Sequence, residues 1–203
     1  MNLPSRPSPG QALMHLVAVG GVFLGGYQLT LRRAHRLGEL PSSLSSWDAW
    51  VPFWPASILP YASINLVYLA AFFLCRTERA LLRLTLQLLF VQIAAFICFW
   101  CWPLQWGRPR PALEGIWAQA YGWLGSFDLP HNLAPSLHIA VLVVLWSLLR
   151  SIVLPRHRVW VHAWAGVVAL SALTTWQHHL LDVAGGAVLG ALALAGPRRS
   201  DGI

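Results

Sequence analysis

Three short stretches of this chain hold residue types that can move a phosphoryl group. The first is His178-His179-Leu180-Leu181-Asp182. If it opens a helix, His178 and Asp182 stand four apart on one face. The carboxylate can then accept a hydrogen bond from one ring nitrogen and leave the other aimed outward with its lone pair free, which is how a histidine is prepared as a nucleophile or base. On such a helix His179 points about 100° away, which favours packing or a headgroup contact. The second stretch is Pro135-Ser136-Leu137-His138. Pro135 suits a first helical turn because it has no amide hydrogen to satisfy. The backbone amides around Ser136, Leu137 and His138, aligned with the helix dipole, make a receptor for an anion. Ser136 adds a hydroxyl donor, and His138 can deliver a proton to a leaving oxygen. The third stretch, Arg108-Pro109-Arg110-Pro111, offers guanidinium groups that bind phosphate oxygens through paired donors. Together these are the parts of a metal-free phosphoryl-transfer centre that needs no cofactor: His178, His138 and Asp182 do the chemistry, while Arg108, Arg110 and Ser136 hold the phosphate. Such a centre requires the two imidazoles to face one another across a phosphate-sized cavity.

A metal site can also be drawn through His131, His138, His178 and Asp182, since imidazole and carboxylate suit zinc or iron. No H-E-x-x-H or comparable ligand spacing supports it. His15, His35, His157 and His162 read as interface or packing residues, and Glu114 and Asp128 as loop solvation or arginine partners. Cys98 and Cys101 form a C-x-x-C pair, but within an apolar run they read, like Cys75, as small packing residues.

The elements that must position these residues belong in a bilayer. Of 203 residues, 57% are hydrophobic and only 10% charged, with a mean hydropathy of +0.57. A helical span needs about 20 apolar residues, so five or six spans use most of the chain and leave no room for a sizeable soluble domain. The apolar runs lie at roughly 11–31, 56–75, 84–104, 135–154, 159–176 and 180–195. The expected architecture is therefore all-α, a single integral membrane domain over 1–203 with six transmembrane helices in a bundle. The first run exceeds a secretory h-region and ends in Arg32-Arg33-Ala34-His35-Arg36, so it reads as a retained span. The segment from Pro41 to Pro55, with Trp47, Trp50, Trp54 and Asp48, suits the membrane–water boundary. The 105–134 connection, rich in Gly, Pro and Trp, reads as an ordered cap or surface loop over the site. Gly21 with Gly25, and Gly186 with Gly190, have the spacing that lets helices approach closely, and Gly185-Gly186 would let the last span press against the fourth.

All 14 basic residues are arginines, set against 7 acidic residues. They are scattered between apolar runs instead of forming one face, which argues against nucleic acid as a partner. With the amino terminus in the cytoplasm, nine fall on that side (Arg6, Arg76, Arg79, Arg83, Arg150, Arg156, Arg158, Arg198 and Arg199) and five on the other (Arg32, Arg33, Arg36, Arg108 and Arg110). The positive-inside rule then predicts cytoplasmic termini, with all three reactive stretches at the non-cytoplasmic boundary.

The residues resemble the type-2 phosphatidic acid phosphatase superfamily, whose pattern runs lysine and Arg-Pro, then Pro-Ser-Gly-His, then Ser-Arg followed by His-x-x-x-Asp. Arg108-Pro109 or Arg110-Pro111 is similar to the first piece, Pro135-Ser136-Leu137-His138 to the second, and Ser171 with His178 and Asp182 to the third. The resemblance covers roughly residues 45 to 190. The chain departs from the pattern at three points: Cys101 or Pro103 stands where the lysine belongs, Leu137 replaces glycine, and Ala172 stands at the arginine of the third piece. Pro-Ser-Leu-His, the His-His doublet, and the Pro52-Phe53-Trp54-Pro55 and Pro60-Tyr61 segment are similar to the branch containing inositol phosphorylceramide synthases and their bacterial relatives.

The resemblance implies an integral membrane phosphatase, in a bacterial inner (plasma) membrane with its site facing the periplasm or exterior, acting on a lipid phosphate or isoprenoid pyrophosphate. His178 would form a phosphohistidine, Asp182 would orient it, His138 would protonate the leaving group, and Ser136 with Arg108 or Arg110 would hold the phosphate. Two alternatives use the same chain: a phosphotransferase moving a phosphoryl-linked head group between lipids, and a lipid-binding relative without catalysis.

Overall fold

The computed structural model describes residues 5–127 and 131–196; Asp128, Arg198 and Arg199 lie outside the described residues. Among the described residues the chain is all-helical: α1 (Pro9–Arg36), α2 (Ile58–Leu74), α3 (Glu78–Cys101), α4 (Gly115–Phe127), α5 (Leu137–Ile152), α6 (Arg158–Thr174) and α7 (Leu180–Ala195). Short 3-10 turns lie at Ser46–Trp50, Pro55–Ser57 and Pro155–His157. Extended backbone pairs only at an isolated bridge between Gln105 and His131. Three segments are long and apolar enough to cross a membrane: α1, Pro55–Leu74 and α3, with mean hydropathies of 1.5, 1.7 and 2.0. The helices α5, α6 and α7, of 16, 17 and 16 residues, fall short of the usual spanning length.

Local chemistry sets the boundaries. α1 starts with Pro9 behind Ser8, whose hydroxyl accepts from the Gln11 amide while Gln11 reaches back to the Ser8 amide, a reciprocal cap. α3 begins earlier than its apolar run because Thr77 caps the Ala80 amide and Glu78 favours the positive end of the helix dipole. α5 starts later than expected. Ser136 is its N-cap, so Pro135, joined to Ala134 through a cis peptide bond, stands before the helix and not in its first turn.

α5 forms the centre, with seven buried apolar residues from Leu137 to Leu145, and packs against α7, α6, α3 and α2. Gly186 and Gly190 set the α5–α7 contact. A Cβ on Gly186 would overlap the Ser136 carbonyl oxygen, and one on Gly190 would lie 2.6 Å from Val143 Cβ and 2.9 Å from the Ala140 carbonyl oxygen. The other glycine pair does not act this way. Nothing lies within 4 Å of Gly21 or Gly25, and it is Gly26 that receives the Phe96 ring of α3. α1 joins α3 through His15 Nδ1 and Thr85 Oγ1, 2.7 Å apart. Large apolar side chains on the outside, among them Leu66, Leu69, Ile97, Leu170 and Val188, make an exterior suited to hydrocarbon.

Backbone hydrogen bonds gather the connections into two ends. At one, the Glu78 amide donates to Ser5 and Arg76 Nη2 to the Ile152 carbonyl. At the other, the Gln105 amide donates to Pro41, the Trp54 amide to Thr174, and the Ser136 amide to Asp182 at 2.8 Å. The second end thus unites the 41–57 segment, the 105–134 connection, the start of α5 and the α6–α7 turn.

Candidate functional site

Asp182 stands in the first turn of α7 and is wholly buried. Its Oδ2 accepts from the His179 amide at 2.8 Å. Its backbone carbonyl takes the Ser136 amide, so α5 and α7 are joined, backbone to backbone, at the carboxylate itself. His178 Nδ1 lies 3.8 Å from Asp182 Oδ2 and His179 Nδ1 lies 3.6 Å from the same oxygen, ion-pair distances longer than a hydrogen bond. One feature of the expected geometry is corrected. α7 begins only at Leu180, with His179 as N-cap, so His178 and Asp182 do not share a helical face. His178 approaches from the preceding turn, its amide held by the Ala172 carbonyl at 3.1 Å, and His179 turns toward Asp182 instead of away from it.

His138, in the first turn of α5, lies parallel to the Tyr61 ring of α2, with centroids 4.0 Å apart and planes 5° from parallel. It is within electrostatic reach of His178. Ser136 is fully buried, and its hydroxyl accepts from the Ile139 amide at 3.3 Å. One of the three amides expected to await an anion, that of Ser136, is therefore used inside the protein by Asp182, and the neighbouring Ile139 amide is taken by the Ser136 hydroxyl. Buried polar atoms of this region without a hydrogen-bond partner among the described residues include His138 Nε2, His178 Nδ1, His179 Nε2 and Asp182 Oδ1. Each orphan costs about 1–3 kcal/mol. Such a concentration at one end of a bundle calls for partners that the protein's own groups do not supply.

The two arginines meet the site through the α6–α7 turn. Arg108 stacks on the Trp176 ring, 3.3 Å from its centroid, and donates to the carbonyls of Asp48 at 3.2 Å and Val51 at 3.0 Å. Arg110 donates to the Trp176 carbonyl at 3.0 Å. Trp176 has φ +54, a left-handed conformation that a bulky residue adopts at a cost of about 1–2 kcal/mol. It is held there by Arg108, by its own Nε1 donating to Val51 at 3.2 Å and by the Phe53 ring at 5.1 Å. Asp48, Trp106, Arg108, Trp176, His178 and His179 line a crevice of about 160 Å³, too narrow to admit a water molecule. His138 does not line it. The two imidazoles therefore do not face one another across an open phosphate-sized cavity: His178 lines the crevice, and His138 lies outside its lining, stacked on Tyr61.

Comparison with known protein families, with curated proteins and with solved structures finds no match for this chain.

The site also holds residues that sequence reasoning passed over. Asp48 was assigned only to an interfacial segment. Its three tryptophan neighbours do face outward, Trp47, Trp50 and Trp54 being 72%, 84% and 64% exposed, while Asp48 is buried. Its Oδ2 accepts from the Ser45 amide at 2.8 Å and hydroxyl at 2.6 Å, and its Oδ1 accepts from the Leu180 amide at 2.8 Å. Asp48 thus ties the 3-10 turn to the start of α7. The signal was present in Ser45-x-x-Asp48, the spacing of a capping motif. Trp106, parallel to the His179 ring at 4.1 Å, carried no comparable signal. His131 faces His35, with ring centroids 5.9 Å apart, and pairs with Gln105. Among the described residues no group of three or more His, Cys, Asp or Glu is clustered to hold a metal.

Asp48 also sets an acid limit. Burial pushes its pKa up, but the hydrogen bonds from Ser45 and Leu180 outweigh burial and hold it below the ordinary carboxylate value. Because the folded pKa is depressed, the stabilisation is complete above the unfolded value and is lost as pH falls through the folded one. Asp48→Asn should lower stability by about 1.5–3 kcal/mol, the range for a hydrogen bond to a charged group, and should flatten the acid side of the profile. Melting temperature in detergent, followed from neutral pH down to about 3, checks both. A variant as stable as wild type, with the same acid limb, refutes the role.

Proposed function

We propose that this protein is an integral membrane phosphatase that hydrolyses a phosphomonoester or pyrophosphate of a lipid or isoprenoid through a phosphohistidine. In this reading six helices cross the bilayer, α1, α2, α3, α5, α6 and α7, with both termini in the cytoplasm. The site opens at the non-cytoplasmic boundary, where the exposed tryptophans around Asp48 suit the headgroup layer. The observation that carries the reading is a buried carboxylate, Asp182, approached by two imidazoles at 3.6 and 3.8 Å, beside a crevice that Arg108 lines.

The chemistry follows from the placement of each group. Asp182 lies on the Nδ1 side of His178, and a carboxylate can only accept, so the proton belongs on Nδ1 and the lone pair on Nε2. Nε2 attacks phosphorus, the bond to the lipid oxygen breaks, and His138, protonated in the field of the bound phosphate, supplies the proton that oxygen needs. Arg108, already at the crevice, exchanges the Asp48 and Val51 carbonyls for phosphate oxygens, so substrate binding opens the crevice that Arg108 and Trp176 line. With Ala172 and Cys101 or Pro103 where the resembled family carries cations, Arg108 and Arg110 bear the charge of the phosphate between them.

The test is product analysis. Purified protein in mixed micelles is given phosphate-labelled phosphatidic acid or an isoprenyl pyrophosphate, with and without an added lipid alcohol. Release of inorganic phosphate through an acid-labile, base-stable phosphoprotein is expected. Transfer to the alcohol outpacing phosphate release would replace the hydrolase reading with the transferase. No turnover of any phosphate in the panel would leave a lipid-binding protein without catalysis.

A further inference from the structure

The phosphatase reading leaves His179 without a task, yet this ring is more closely built in than His178. It is 1% exposed and lies parallel to the Trp106 indole, with planes 2° apart and centroids at 4.1 Å. Its Nδ1 is 2.9 Å from Ser43 Oγ and 3.6 Å from Asp182 Oδ2. The carboxylate can only accept, so a proton on Nδ1 serves both neighbours, donated to the Ser43 hydroxyl and facing the negative charge of Asp182. The lone pair then sits on Nε2. That nitrogen is buried and has no hydrogen-bond partner, on a ring that lines the same crevice as His178 and Arg108. A histidine recruited only to stack on Trp106 would need neither a hydroxyl and a carboxylate at one nitrogen nor an unpartnered second nitrogen, which costs about 1–3 kcal/mol.

We propose that His179 is the general base of the second half-reaction, the one that frees the phosphoryl group from His178. The assignment rests on His178 being the nucleophile. An O–H bond of the attacking water breaks and its proton goes to His179 Nε2. The water oxygen forms a bond to phosphorus, the bond from phosphorus to His178 Nε2 breaks, and the electron pair returns to that imidazole, leaving inorganic phosphate. Asp182, close to both rings, stabilises the positive charge on His179 as it develops. The two half-reactions thereby use different proton carriers. His138, beside Tyr61 and away from the crevice lining, serves the departing lipid oxygen, and His179 serves the incoming water.

The experiment separates formation of the phosphoprotein from its hydrolysis. Full-length protein in mixed micelles is mixed rapidly with labelled phosphatidic acid or isoprenyl pyrophosphate, and protein-bound label and free phosphate are followed together. His179→Asn removes Nε2 but keeps a residue suited to an N-cap. It should form the phosphoprotein within a few-fold of the wild-type rate and hydrolyse it about 10²-fold or more slowly, so that labelled protein accumulates. Ser43→Ala, which keeps the ring but removes the hydroxyl partner of its Nδ1, should shift the balance the same way by about tenfold, and it carries the test if His179→Asn does not fold. Wild-type hydrolysis in either folded variant, or loss of phosphoprotein formation in His179→Asn, would overturn the assignment. If wild-type protein itself neither carries label nor releases phosphate, the parent reading fails and this assignment with it.

Discussion

His178→Gln is expected to reduce turnover of lipid phosphate by about three orders of magnitude or more and to leave the protein folded. The size of the effect follows from the proposed chemistry. Without a nitrogen nucleophile no covalent intermediate forms, and what remains is the acceleration that binding and charge neutralisation give to direct attack by water. Folding should survive because the His178 side chain makes no hydrogen bond that holds the fold: its Nδ1 has no partner within hydrogen-bonding distance, and the backbone bond to Ala172 is independent of the side chain. His138→Ala should cost less, about 10²–10⁴-fold. The loss should be smallest on substrates with a good leaving group, such as an aryl phosphate, which need no proton. Thermal stability in detergent, phosphate release and protein-bound label measured together check these expectations. Equal losses for lipid and aryl phosphates would remove His138 from the acid's role, and a His178→Gln protein that still carries label would remove His178 from the nucleophile's.

How much of this was legible in the sequence depends on the range of the forces involved. The apolar runs reported the helices well, since burial and hydrocarbon contact both act over the length of a helix. α7 spans Leu180–Ala195 as its apolar run predicts, and the glycine spacing within it marked the contact with α5. The runs reported helix ends less well, because ends are set by single hydrogen bonds: Ser136 and Thr77 as caps, Trp176 in a left-handed conformation where glycine is the usual choice. The gathering of Arg108, Asp182 and the two histidines at one end of the helices follows from the alternation of helices and short turns. Their local directions do not. Reading His178 to Asp182 as helical placed His179 away from the carboxylate, whereas a helix beginning two residues later brings both rings to it. The contributions of Ser43, Asp48 and Trp106 come from segments more than 70 residues away in the chain, and no local pattern could carry that information.

The segment from Pro41 to Val51 joins Arg108 to the α6–α7 turn. Pro41 accepts from Gln105, Ser43 meets His179, Asp48 meets Leu180 and Arg108, and Val51 meets Arg108 and Trp176. Gly107 is what lets the two segments approach, because a Cβ there would overlap Ser42 Oγ and lie 2.9 Å from Leu44 Cβ. A single strap thus touches both the arginine proposed to bind phosphate and the proposed base. Asp48 holds both Arg108 and the Leu180 amide at the start of α7, so in the proposed mechanism the release of Arg108 by substrate would be linked to the positioning of the imidazoles.

That linkage depends on α7 lying against α5, and Gly186 is where the contact can be broken. A methyl group added there meets the Ser136 carbonyl oxygen, with Ile139 Cβ at 3.0 Å and Ser136 Cβ at 3.1 Å. The Ser136 oxygen belongs to the first turn of α5 and accepts from Ala140, so it cannot rotate aside as a side-chain end would. The helices must separate instead. Gly186→Ala gains up to about 1 kcal/mol of helix propensity against an overpacking cost of about 1–3 kcal/mol; Gly186→Leu gains no more and must overpack further. Separation also stretches the 2.8 Å bond between the Ser136 amide and the Asp182 carbonyl, which sets the carboxylate against the helix that carries His138. Because a misplacement of about 1 Å can cost 10²-fold in rate, Gly186→Ala should lose about that much turnover even at temperatures where it stays folded. Gly185→Ala is the control. Its Cβ meets only Pro135, at 3.3 Å from Cβ and 3.5 Å from Cα, so it should change stability and rate little. Melting temperature and phosphate release, measured on both variants in the same detergent, decide the matter: a Gly186→Ala protein matching wild type in both would show that the α5–α7 approach does not position the site.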